Sequence, residues 1–341
     1  MANRDASLSR QRALGLVAAL VVTAWGAAGL YEGLNSGFSG GLYDPEYRVP
    51  GVYPGGLADR SGFKAGDRVI SVEGRPVESL GMESRWPRSL VPRVGESRRF
   101  VVQRDGEQVP IDVVFPAPSA AAVANRVRAA LVGLAFMGAG LWALLTVHTR
   151  HALTLAHIGL AAGVSAALGL GPHLGWWNGV QGHLATAANV LMFILLLRFF
   201  VTFPVPKAVS RSSTAAWLVY GAWACLLAFL LVEVVVHPAL YYSTGSVTSL
   251  LILVYVLMIL AAITHTVVTG PRAEVRASGM PWILGGLLVA IVWTASRFAS
   301  AVNLPAWTDA AAIAAIPLSM ALAVRRHATL ERTQAPAPRR P

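Results

Sequence analysis

The sequence predicts an α-helical polytopic membrane protein of about eight transmembrane helices, with a small α+β domain inserted after the first helix. Composition is the first observation: 55% of the 341 residues are hydrophobic and 13% charged, where soluble domains carry about 25% charged residues. Mean hydropathy is +0.55. The second observation is spacing, because charges cluster before residue 13, between 32 and 128, and in short islands thereafter. Apolar runs of 18 or more residues between such islands read as membrane helices. The third is that residues 32–118 alone carry turns, charges and strand-like alternation.

Taken in order, residues 1–12 form a basic head and 13–31 the first span. Residues 32–118 form the insert and 119–128 a linker. The seven-helix domain, 129–324, has its spans at 129–147, 153–171, 184–203, 215–236, 247–269, 281–299 and 309–324, and 325–341 form a basic, Pro-rich tail. The first span is longer than the core of a cleaved signal, about 7–15 residues, and is expected to stay as an anchor.

Loop charges set the orientation. Arg150, then Lys207 and Arg211, then Arg272 and Arg276 occupy alternate loops, with Arg4, Arg10 and Arg12 in the head and Arg325, Arg326, Arg332, Arg339 and Arg340 in the tail. The intervening loops, "GPHLGWWNGVQGH", "HPALYYSTGS" and "AVNLPAWT", have no Lys or Arg. Positive charge gathers on the cytoplasmic side. Both termini are therefore expected in the cytoplasm and the insert on the periplasmic face of a bacterial inner membrane. This placement accounts for the net charge of +11 without nucleic acid. The single cysteine, Cys225, excludes an intramolecular disulfide and a cysteine-based metal site.

Within the insert, "GGLADRSG" reads as a helical turn ended by Gly62, and "DRVISVEG" as a strand reaching a turn at Gly74. "RRFVVQRDGEQVPIDVVF" reads as a hairpin about Asp105-Gly106. A short helix is expected within 78–95, and core positions at Val52, Ile70, Phe100 and Val113.

The stretch "VYPGGLADRSGFKAGDRVISVEGRPV", with Pro54, Gly55, Ala58, Gly62, Phe63, Gly66, Asp67, Ile70, Gly74 and Val77, resembles the core of bacterial PDZ domains. Glu73 stands where that pattern usually has Asn. PDZ domains bind peptide or protein C-termini by strand addition, with backbone N–H groups holding the carboxylate. The resemblance implies a carboxylate loop at Asn35, Ser36, Gly37 and Phe38, and a groove strand through Ser39, Gly40 and Leu42. Trp86 and Leu90, four residues apart, would form the opposite wall.

"LLLRFFVTFPVPK", "GPRAEVRASGMPWILGG" and "IPLSMALAVRRHATLE" resemble the membrane half of PDZ-containing sensor histidine kinases of the competence or quorum-sensing type. "HATLERTQAPAPRRP" leaves no room for a kinase, so a separate cytoplasmic signalling partner is expected to supply the output. The function implied is sensory and not enzymatic, with no cofactor, metal or catalytic residue, and with membrane lipids around the helices. An envelope scaffold docking a secretion or protease component is the alternative. An intramembrane serine protease is a further reading, resting on Ser165 and His265 as a dyad. The H-E-x-x-H signature of zinc proteases is absent from the sequence. Glu233 and Arg297, at similar depth in their spans, are expected to pair, since membrane-depth charges seek partners.

Overall fold

The computed structural model describes residues 2–37, 47–49, 51–52, 54–80, 92–171, 177–236, 241–299 and 306–334. Eight helices of 20 residues or more are present among them. They are α1 (Ala2–Asn35), α3 (Ala120–Thr146), α4 (Arg150–Leu170), α5 (Trp177–Thr202), α6 (Ser213–Val236), α7 (Tyr241–Thr269), α9 (Met280–Ala299) and α10 (Ala306–Gln334). Short helices α2 (Leu57–Ser61) and α8 (Arg272–Ala277) lie between them. Among the described residues, six stretches are long and apolar enough to cross a membrane: Ser9–Asn35, Ala120–Thr146, Arg150–Leu170, Val180–Thr202, Val247–Thr269 and Thr308–Leu330. In α6 and α9 the apolar stretches Tyr220–Leu230 and Met280–Trp293 are shorter. The chain is thus a multi-pass helical membrane protein carrying a small antiparallel sheet after its first helix, the expected fold class.

Small residues let the helices approach. A Cβ on Gly140 would lie 2.7 Å from the Leu155 carbonyl oxygen, and one on Gly159 would meet the Phe136 carbonyl. These two positions bring α3 and α4 to backbone contact. On α1, Gly29 sits against the Leu170 carbonyl at the end of α4. Membrane helices gain no hydrophobic drive from lipid, so such close packing is what holds them. Leu155, Ile158, Ile194, Phe199, Phe203 and Met280 fill the centre.

The linker read at 119–128 is largely helical. Ser119 caps α3, its Oγ accepting from the Ala122 N–H at 3.2 Å, so residues 120–128 are the first turns of that helix. Arg126 Nη1 donates to the Gly33 carbonyl at the end of α1. This tie links the two helices that carry the insert. The helix also continues past residue 324, since α10 runs to Gln334.

The expected Glu233–Arg297 pair concerns side chains that lie outside the described residues. A different charged contact is present. Arg128 on α3 reaches Asp309 on α10 at 3.4 Å, and the Trp293 indole N–H of α9 donates to the same carboxylate at 2.9 Å. One acid thus joins three helices. It is not legible in the sequence, where Arg128 falls in the linker and Asp309 at a span edge.

Candidate peptide-recognition site

The insert is built on four antiparallel strands, β1 (Arg68–Val72), β2 (Arg75–Pro76), β3 (Ser97–Arg104) and β4 (Glu107–Val114), in the order β2-β1-β3-β4. Both hairpins turn on two residues with positive φ: Glu73 (52°) and Gly74 (74°), then Asp105 (51°) and Gly106 (87°). Such turns match the twist of the strands they join. Glu73 replaces the Asn that tolerates this conformation best, and its side chain does something Asn is too short for. Its Oε1 accepts the Arg99 N–H at 2.6 Å while its own N–H donates to the Arg99 carbonyl at 2.8 Å. Glu73 therefore extends the β1–β3 ladder beyond the strand.

Residues 47–49 run along the edge of β1 that β2 leaves uncovered. Val69 N–H donates to the Tyr47 carbonyl at 2.7 Å and Val49 N–H to the Asp67 carbonyl at 2.8 Å. Helix α2 ends at Gly62, whose φ of 88° needs no Cβ. The Phe63 N–H then returns to the Ala58 carbonyl at 3.0 Å and delivers the Phe63 ring to the core. That ring meets Phe100 edge-on, with centroids 5.8 Å apart.

The core comprises Val49, Leu57, Phe63, Val69, Val72, Val77, Phe100, Val102, Ile111, Val113 and Phe115. Phe100 and Val113 fall where the sequence placed them. Val52 packs only against the margin, and Ile70 is half-buried. The pairing of β1 with β3 shifts between Val69 and Ser71, a bulge that turns both Val69 and Val72 inward. Strict alternation cannot anticipate it.

Asp67 is the buried polar centre, 1% exposed. Arg104 binds it with two bonds, Nε to Oδ1 at 2.8 Å and Nη2 to Oδ2 at 2.7 Å, and the Lys64 N–H adds a third at 2.8 Å. The same Nη2 donates to the Gly62 carbonyl at 2.8 Å. Burial alone would raise the Asp67 pKa. The hydrogen bonds from Arg104 and Lys64, with their charges, outweigh it and hold the carboxyl below its ordinary value. The Gly66-Asp67 pair thus fastens the loop after α2 to the end of β3.

Of the nine residues expected to form the peptide groove, three are described. Asn35 Nδ2 donates to the Tyr31 carbonyl at 2.8 Å, and Ser36 Oγ to the Glu32 carbonyl at 2.6 Å. Both side chains turn back and satisfy carbonyls at the end of α1. Ser36 bridges Arg93, and the Gly37 N–H donates to the Pro92 carbonyl at 2.7 Å. A Cβ on Gly37 would lie 2.5 Å from Phe115 Cβ and 2.9 Å from the Arg93 carbonyl oxygen. Glycine is needed there for close packing, so a larger residue would disturb the domain itself. Phe38, Ser39, Gly40, Leu42, Trp86 and Leu90 lie outside the described residues.

The Ser165–His265 dyad is not assembled. Neighbouring long helices alternate in direction, so α4 rises from Arg150 while α7 descends to Thr269 at the same, arginine-rich end. At 1.5 Å per residue, Ser165 is about 22 Å from that end and His265 about 6 Å. Ser165 Oγ donates to the Ala185 carbonyl at 3.0 Å, and His265 Nδ1 lies 3.2 Å from Thr269 Oγ1. No group of three or more His, Cys, Asp or Glu arranged to hold a metal occurs among the described residues.

Residues 48–104 match the family model described as "PDZ domain". These residues form a PDZ domain. Over 66 residues the chain is 36% identical to a protein of Brucella suis biovar 1 named as a candidate zinc metalloprotease. A Brucella melitensis protein named in the same way is equally similar, and each match covers 19% of this chain and 17% of the relative. Over 67 residues it is 39% identical to a protein of Arabidopsis thaliana named as a candidate Do-like protease 14, covering 19% of this chain and 14% of that one. The chain thus spans less than a fifth of the length of these relatives. No solved structure matches it significantly. These matches overturn the sensory reading and the expectation that the protein is not an enzyme, because the relatives of its PDZ domain carry protease names.

Proposed function

We propose that this chain is a membrane-embedded component of proteolysis, in which the PDZ domain recruits the ends of polypeptides or docks a protease component. The observation that carries this reading is the match of the PDZ core to proteins named as proteases. PDZ domains accept an extended chain end as an added strand. Since the Gly37 N–H is already bonded to the Pro92 carbonyl, other backbone N–H groups must hold the incoming carboxylate. The ties from Arg126 to Gly33 and from Gly37 to Pro92 hold the PDZ domain to the end of α1 and the start of α3. A captured end is then presented at the membrane surface.

The charge pattern of the loops supports an arrangement with the termini in the cytoplasm and the PDZ domain in the periplasm of a bacterial inner membrane. The PDZ relatives support proteolysis as the process served, and leave open which chain cuts the bond.

The test is to remove the chain from its host and follow membrane and envelope protein half-lives by pulse labelling and quantitative mass spectrometry. Specific proteins should be stabilised, and restored by the full chain. Photo-crosslinking groups placed at Ser39 and Leu42 should capture the same proteins through their C-termini. Unchanged half-lives would refute the role in proteolysis. Capture that is indifferent to C-terminal sequence would refute the peptide-end reading.

A further inference from the structure

We propose that the arginine-rich end of the bundle contains a phospholipid site, with one acyl chain of an anionic lipid between α1, α3 and α4 and its phosphate at Arg12. A cavity of about 380 Å³ lies there, within the range of ligand pockets, about 300–1,000 Å³. Its origin is in the sequence. Gly15, Ala18 and Ala19 give α1 a small-residue face just past the basic head, while α3 and α4 oppose it with Met137, Leu141 and Leu160. Side chains that small do not fill the wedge between the helices.

The lining is apolar apart from Gln11 and His157. Such a space does not hold water. Inside a bilayer its natural occupant is hydrocarbon, and a wedge between helices offers a lipid tail more packing contact than the smooth outer surface does.

The charge beside the cavity selects the headgroup. Arg12 follows Gln11 directly, and its Nε donates to the Leu144 carbonyl at 3.3 Å while Nη2 contacts His148 Nε2. These contacts pin the guanidinium at the last turn of α3, beside the cavity lining residue Leu144. Arg10 and Arg150, both exposed, stand at the same end. Against these arginines the head offers one acid, Asp5. Basic groups between helices at a membrane surface suit phosphate headgroups without a compensating positive charge. The site therefore favours phosphatidylglycerol-like lipids over phosphatidylcholine. It is independent of which way the chain crosses the membrane, and of the proteolytic reading.

The experiment uses the full chain purified in neutral detergent, with phosphatidylglycerol and phosphatidylcholine of identical acyl chains as probes. Retention is read by native mass spectrometry. The wild type should retain phosphatidylglycerol in preference to phosphatidylcholine, and Arg12→Gln should reduce that preference about fivefold, the factor for one basic residue at an anionic surface. Ala18→Phe, which fills the cavity, should lower retention of both lipids. A phosphatidylglycerol carrying a photoreactive group in its acyl chain, used on the wild type alone, should label peptides from α1, α3 and α4 at the cavity. Equal retention of the two lipids by the wild type, or labelling spread evenly around the bundle, would overturn the proposal, whether or not the variants fold.

Discussion

The PDZ domain and the helix bundle of this chain are held together by opposite means. In the PDZ domain, strands satisfy one another's backbone groups, and a large-ring core of Phe63, Phe100 and Phe115 is removed from water. An ion pair between buried Asp67 and partly buried Arg104 closes it. In the bundle, each helix satisfies its own backbone, and contact is made by removing side chains, as at Gly140 and Gly159. The difference follows from the solvent. Water rewards burial of rings at about 25 cal/mol per Å². Lipid gives no such reward, and close approach takes its place.

Four single substitutions, the last also combined with a fifth, sharpen or break that contrast, each followed by thermal unfolding of the full chain in detergent, with hydrogen exchange locating the change. Phe100→Ala should have the largest effect. It opens a cavity in the sheet core and should cost the PDZ domain about 4 kcal/mol, leaving exchange in α3 and α4 as it was. A bundle that loosened with it would mean the two regions form one cooperative unit.

Asp67→Asn comes next, at about 2.5 kcal/mol, the loss of charge-assisted hydrogen bonds to a buried carboxylate. It carries a pH signature. The folded pKa of Asp67 is depressed below its ordinary 3.8, so its stabilisation is fully present above that value and is lost as pH falls through the folded one. Acid should therefore destabilise the wild-type domain below about pH 4, and less of that loss should remain in the variant. An identical acid profile for the two proteins would remove Asp67 from the account.

Gly159→Ala adds one methyl group where α4 meets the Phe136 carbonyl. It should cost about 2 kcal/mol by forcing the helices apart, with faster exchange in α3 and α4 and none in the sheet. A neutral result would mean that the α3–α4 contact is not what holds the bundle. Asp309→Asn is expected to be smallest, about 1 kcal/mol, as polar contacts between membrane helices are modest. Combining it with Arg128→Gln should cost less than the sum of the two, and simple additivity would show that the 3.4 Å contact carries no coupling.

Legibility differed between the regions for the same physical reason. Long apolar runs and two-residue turns are local features, so the helices, the Asp105-Gly106 hairpin and the turn at Gly74 could be read directly. The "GGLADRSG" turn could be read because Gly62 alone suits its φ of 88°. The bulge after Val69 could not, since it depends on how β1 meets β3, about thirty residues away or more. The peptide site was read by resemblance; of its first three residues, Asn35 and Ser36 satisfy carbonyls of Tyr31 and Glu32 at the end of α1, and Gly37 bonds to Pro92.

By itself, then, the order of residues determined a multi-pass helical chain with a PDZ domain after its first helix. Hydropathy over a bilayer's thickness and the conformational needs of Gly and Asp are properties of short segments. Only the tertiary structure decided that Arg128, Trp293 and Asp309 meet, that Ser165 and His265 stand at different depths, and that small residues on α1 leave a cavity beside Arg12. Each depends on the direction, rotation and spacing of helices far apart in the chain. Those are set by packing, where a single methyl group between two backbones is enough to change the answer.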